Sequence, residues 1–169
     1  WSWSRGLGDV YKRQKLYMKD IKGIKFQEWL MSKDFSVSRY IRYLRDIISL
    51  IDKYQNSEYE FVHYDLTPWN ILIEGESIRF IDFENSCITI HKKKYKVYNF
   101  STIIDVLCIL IKSLNTILTC NLAYKNNNFI SNEDQQVFLN LANFMTNTKY
   151  QPKPFTDIYT LKRFLNNMS

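Results

Sequence analysis

Residues 61–84 read FVHYDLTPWNILIEGESIRFIDFE, and three side chains in this stretch stand at a spacing that suits phosphoryl transfer. Asp65 is followed five positions later by Asn70, and Asp82 comes after a second apolar run. An acid, an amide and a second acid in that order can supply a proton acceptor and two oxygen ligands for magnesium. Magnesium accepts one or two protein oxygens and completes its shell with phosphate and water. Such chemistry asks the protein mainly for positioning and charge neutralisation.

The elements that must place these groups can be read from the same stretch. ILI (71–73) and IRFI (78–81) are β-branched runs on either side of Glu-Gly-Glu-Ser, so a hairpin is expected with Gly75 in its turn. A symmetric register about position 76 sets Asn70 opposite Asp82 at the open end. Asp65 then lies on the loop just before, where it can accept the proton of a substrate hydroxyl. Upstream, Tyr40, Leu44, Ile47, Ile48 and Ile51 recur at helical spacing within 36–54, with Ser36 or Ser38 as the cap. Downstream, 99–118 is a mostly apolar helix with Asp105 near its start. Two further helices are expected: 133–145, with Val137, Leu141 and Phe144 in line, and 156–166, with Ile158, Leu161 and Leu165. Pro152 and Pro154 separate them. The fold class is α+β and mostly helical.

HYDLTPWN followed by IDFE resembles the protein-kinase-like superfamily, and most closely its branch of aminoglycoside phosphotransferases and choline kinases. Those families carry a His-x-Asp-x-x-Pro-x-Asn loop and an Ile-Asp-Phe strand end. The resemblance implies that Asp65 is the catalytic base, that Asn70 and Asp82 hold Mg2+, and that His63 props the loop. It extends to 16–30, similar to the strand, hinge and short helix of the adenine pocket. Backbone groups of Lys19 and Ile21 would pair with the adenine edge of ATP, and Leu72 and Ile81 would form the apolar floor. Asp105 falls where family members hydrogen-bond the catalytic loop. The expected architecture is therefore the carboxy-terminal lobe of a kinase-like fold, with the amino-terminal lobe missing.

The implied function is an ATP-dependent phosphotransferase acting on a hydroxyl of a small molecule or glycan, with this truncated chain inactive alone. A protein kinase is the enzymatic alternative, disfavoured by Glu84 after Asp-Phe and by the lack of a following Ala-Pro-Glu. A pseudokinase or nucleotide-binding module is the non-enzymatic one. Trp69, beside the loop, reads as packing rather than as a substrate platform, and Glu84 as a partner for nearby backbone.

Residues 1–14 have no hydrophobic period, and GLGDVYKRQ resembles a translated sequencing adapter, so they are set apart from 15–169. The 169 residues, 46% hydrophobic and 16% aromatic, can bury one core. Cys87, Cys108 and Cys120 lack metal-ligand spacing and read as reduced thiols of a cytoplasmic protein. Of the +6 formal charge, Arg5, Lys12 and Arg13 against Asp9 contribute +2, leaving +4 for the remainder. HKKKYK (91–96) is the one dense basic cluster and reads as a solvated loop. Steering of an anionic acceptor, or peripheral contact with an acidic membrane surface, is the alternative. No nucleic-acid-binding module accompanies it. Asp105 and Lys112 interrupt the most apolar stretch, so a buried helix is expected there and no transmembrane segment.

Overall fold

The computed structural model describes residues 22–55, 59–90, 100–123, 131–146 and 158–168. The leader 1–14, Lys19, Ile21 and the basic run 91–96 lie outside the described residues. The described chain is an α+β fold in the order β1 (Ile24–Lys25), α1 (Phe26–Leu30), α2 (Val37–Lys53), β2 (Tyr59–Val62), β3 (Ile71–Glu74), β4 (Ser77–Phe80), β5 (Cys87–Ile90), α3 (Phe100–Ala123), α4 (Asn132–Thr146) and α5 (Ile158–Asn166). Single 3₁₀ turns occupy Pro68–Asn70 and Phe83–Asn85. One antiparallel sheet runs β1-β3-β4, and β2 pairs with β5 in a second.

Helix α2 is the spine. Ser36 takes an extended conformation and its hydroxyl accepts the Arg39 N–H at 3.4 Å, which starts the helix there rather than at Ser38. Tyr40, Leu44, Ile47, Ile48 and Ile51 are all buried, each aliphatic member contributing about 1.5–3 kcal/mol by leaving water. The aromatic end of this core joins Phe26 and Trp29 of α1 to Tyr40 and Tyr43. Phe26 stacks on Trp29 at 5.7 Å, and Tyr43 meets Trp29 edge-on at 5.0 Å. The buried Tyr40 hydroxyl hydrogen-bonds Ser113 of α3 at 2.8 Å, while burial drives its pKa upward. Helix α5 closes the other flank with Ile158, Leu161 and Leu165 fully buried. Arg45 of α2 caps that helix's C-terminal end by donating to the carbonyls of Leu165, at 2.6 and 3.0 Å, and Met168, at 3.0 Å.

By length and composition Thr102–Cys120 is long and apolar enough to cross a membrane, with mean hydropathy 1.9, which corrects the expectation that Asp105 and Lys112 cut it short. Three of its polar residues are nonetheless tied into the fold. Asp105 serves the loop after β2, Ser113 meets Tyr40, and Thr116 exchanges hydrogen bonds with Gln27 of α1. These contacts make α3 a core helix.

The hairpin forms where expected, but its register differs by one residue. Pairing runs Ile71 to Phe80, Leu72 to Arg79, Ile73 to Ile78 and Glu74 to Ser77. Gly75 takes a positive φ of 62° and Glu76 does not, the pattern of a two-residue turn with glycine first. A two-residue turn centres the ladder between positions 75 and 76, so Asn70 faces Ile81, whose N–H donates to the Asn70 carbonyl at 3.0 Å. The expected facing of Asn70 and Asp82 is therefore corrected. Ile71, Ile73 and Phe80 enter the core, whereas Leu72 is covered on the opposite face, outside that cluster.

Gly23 approaches β3 so closely that a Cβ there would lie 2.7 Å from the Ile73 carbonyl oxygen. Only glycine lets the chain enter β1 against that strand.

Candidate active site

Strand β2 delivers the chain into the loop 63–70, and α3 holds the loop from below. The Asp105 Oδ2 atom accepts the N–H of His63 at 2.7 Å and of Tyr64 at 3.3 Å. Burial raises the Asp105 pKa above the usual carboxylate range, and the N–H groups of His63, Tyr64 and Leu66 oppose that shift. One carboxylate thus satisfies successive backbone donors that a tight loop would otherwise leave unpaired.

His63 is buried, and its Nε2 lies 3.0 Å from the Ile81 carbonyl oxygen. A carbonyl only accepts, so Nε2 donates here, and Nδ1 is buried without a hydrogen-bond partner among the described residues. Phe61, Phe80 and Phe83 surround the ring with centroids at 6.4, 6.1 and 5.2 Å. This histidine ties the loop to the end of β4.

Asn70 is buried at the end of the Pro68–Asn70 turn. Its Nδ2 donates to the Asp65 carbonyl at 2.8 Å and to the Asp65 Oδ2 at 2.9 Å. Both partners are acceptors, which fixes the amide orientation and leaves Oδ1 outward of these bonds. Asp65 is half-buried, and Asp82, past the end of β4, is exposed. The Asp82 backbone sits at φ 63°, ψ 62°, so strand alternation stops applying to it.

Among the described non-glycine residues, Tyr64 and Asp82 are the two with positive φ. For an L-residue this conformation costs about 1–2 kcal/mol. One adjoins Asp65 and the other is the second candidate acid, and strain of this kind persists where surrounding structure over-determines it. Sequence spacing gave no sign of it, since neither position carries glycine.

The structure therefore brings His63, Asp65, Asn70 and Asp105 into one bonded unit and sets Asp82 directly after Ile81, which is bonded to both Asn70 and His63. Leu72 lies opposite Arg79 on the hairpin face turned from the core, and by alternation Ile81 falls on the same side. Trp69 is half exposed rather than packed, with the Lys25 ammonium 5.4 Å from its ring centre. Glu84 is exposed. Cys87, Cys108 and Cys120 are free.

Among the described residues no group of three His, Cys, Asp or Glu side chains converges as a metal cage. A cavity of about 380 Å³ opens elsewhere, between α2 and the hairpin turn, lined by Asp46, Lys53, Glu76 and Ser77 among others. It touches none of the loop residues. No protein-family model, curated protein or solved structure matches this chain.

Proposed function

We propose that this chain carries the catalytic loop of an ATP-dependent phosphotransferase acting on a hydroxyl of a small molecule or glycan, on the plan of a kinase-like carboxy-terminal lobe. The observation that carries the reading is the bonded unit itself. Asp105 holds the loop backbone, Asn70 holds Asp65, and His63 joins that loop to Ile81, between the end of β4 and Asp82.

The donor set suits magnesium. The Asn70 Oδ1 atom and the Asp82 carboxylate accept no hydrogen bond from the described residues, and two hard oxygens are what a phosphate-bound magnesium asks of a protein. Asn70 and Asp82 would hold the ion, which when bound neutralises charge on the phosphates of the nucleotide. Asp65 takes the proton of the acceptor hydroxyl while that oxygen bonds to the γ-phosphorus, and the bond from γ-phosphorus to the β-γ bridging oxygen breaks to release ADP. The Asn70 amide keeps the Asp65 carboxylate oriented without consuming both of its oxygens. Ile81, half-buried on the side of the hairpin away from the core, would offer the adenine ring an apolar contact, with Leu72 already covered on the same side.

In the full-length protein, Asp65→Asn should lower the chemical step by roughly 10²–10⁴-fold and leave nucleotide affinity in place. Single-turnover kinetics beside a nucleotide titration separates the two. Undiminished turnover would remove Asp65 from the chemistry, and joint loss of binding and rate would give it a structural role instead.

A further inference from the structure

The outer face of the β2-β5 sheet is apolar and left uncovered by the described residues. Glu60 and Val62 of β2 are buried, and Glu60 accepts a hydrogen bond from Thr102 of α3, so Tyr59 and Phe61 fall on the opposite face. The register sets Ile90 beside Tyr59 and Ile88 beside Phe61 on that same face. Ile88 is 63% exposed and Ile90 83%. The rings of Tyr54 and Phe83, themselves exposed, lie 5.3 and 6.0 Å from that of Phe61 and extend the apolar surface. Single exposed apolar residues are ordinary, but a contiguous group of this kind marks a contact.

The charge at its border narrows what the contact is with. Ile90 is followed directly by HKKKYK, four lysines in six residues. One residue spans at most about 3.6 Å of chain, which keeps Lys92, Lys93 and Lys94 within about 15 Å of Ile90. Lysines beside an edge strand discourage the pairing of one copy's edge with another's, which disfavours a second copy as occupant. Apolar side chains bordered by dense positive charge suit a surface that is anionic outside and oily beneath.

We propose that this face is a peripheral docking surface for a lipid bilayer with anionic headgroups. Ile88 and Ile90 enter the bilayer interface, and the lysines that follow them are drawn to the lipid phosphates. Both signals are needed, because neither a few shallow apolar side chains nor a short basic run holds a protein to a bilayer alone. The proposal stands apart from the phosphotransferase reading, since none of these residues has a part in that chemistry.

The test is co-sedimentation of the full-length protein with vesicles of phosphatidylcholine alone and of phosphatidylcholine carrying about one-third phosphatidylserine. Two variants are compared with wild type: Ile88→Ser with Ile90→Ser, and Lys92→Gln with Lys93→Gln and Lys94→Gln. Wild type should bind the anionic vesicles and not the neutral ones, and high salt should release it. The lysine variant should bind roughly a hundredfold more weakly, about fivefold for each lysine, and the isoleucine variant roughly tenfold more weakly. Failure of wild type to bind anionic vesicles, or undiminished binding by either variant, would overturn the proposal. Self-association of wild type that the isoleucine variant loses, without vesicle binding, would give the face to a second copy instead. Thermal unfolding gives a further check, because two exposed isoleucines should be replaceable with little change in melting temperature. A large fall would show that protein covers β5, and would also overturn the proposal.

Discussion

The two small sheets flank the same loop and are held by different physics. The β1-β3-β4 sheet rests one face on the core through Ile71, Ile73 and Phe80, and its hairpin carries the chain from Asn70 to Asp82. The β2-β5 sheet has every residue of β5 exposed, with Ile90 at 83%. Its support on the β2 side adds polar contacts to the buried Val62. Gln55 is buried and pairs with the Phe61 backbone at 2.5 and 3.2 Å, much as a further strand would, and Thr102 donates to the buried Glu60 at 2.7 Å. The loop 63–70 thus hangs between a sheet fixed mainly by burial and a sheet fixed in large part by hydrogen bonds. The first positions Asn70 and Asp82, and the second delivers the chain into the loop.

Substitutions can sharpen that contrast. Ile71→Ala, at a fully buried position of β3, should cost about 2–5 kcal/mol, measurable as a fall in the denaturant midpoint with an unchanged slope. A cost below about 1 kcal/mol would mean that the hairpin does not depend on core burial.

Asp105→Asn should cost roughly 1–3 kcal/mol by disturbing the acceptor for the loop N–H groups. Its pH signature is more specific. Burial raises the folded-state pKa of Asp105, so the unfolded chain releases this proton first as pH climbs. The stability supplied by Asp105 is therefore full below the ordinary carboxylate pKa and declines as pH rises to the folded value. The stability of wild type relative to Asp105→Asn should fall across that interval and level off above it. A difference that stays constant from acid to neutral pH would contradict the burial.

Gln55→Ala should cost about 1 kcal/mol, with amide-exchange protection lost in β2 and β5 and retained in β3 and β4. Equal loss in both sheets would erase the distinction between them. At the small end, Ile90→Ala should change stability by no more than about 0.5 kcal/mol, and a larger loss would show that β5 is buried in the working protein.

The sequence was most legible where hydrophobic period and burial agree. The stripe of Tyr40, Leu44, Ile47, Ile48 and Ile51 predicts α2 because each member enters the core. The runs 71–73 and 78–81 predict the hairpin because Ile71, Ile73 and Phe80 enter the core from one of its faces. The register was legible only to within one residue, because two-residue and longer turns fit Glu-Gly-Glu-Ser equally well until Gly75 shows its φ. The β2-β5 pairing was missed. Ile88, Thr89 and Ile90 form a β-branched run, but no buried face marks them, and Gln55, which supports the partner strand, looks in sequence like any polar residue after a helix. At the site, the order of Asp65, Asn70 and Asp82 was visible in the spacing. The left-handed backbones at Tyr64 and Asp82 were not, since strain imposed by tertiary contacts leaves no local mark when the residue is not glycine.

The central claim is that Asn70 and Asp82 form the metal side of a nucleotide site. The most direct measurement is calorimetric titration of ATP into the full-length protein with magnesium and again with the metal chelated, for wild type and for Asp82→Ala. Wild type should bind more tightly when magnesium is present, and Asp82→Ala should lose that gain. A magnesium-dependent gain that survives intact in Asp82→Ala would contradict the assignment.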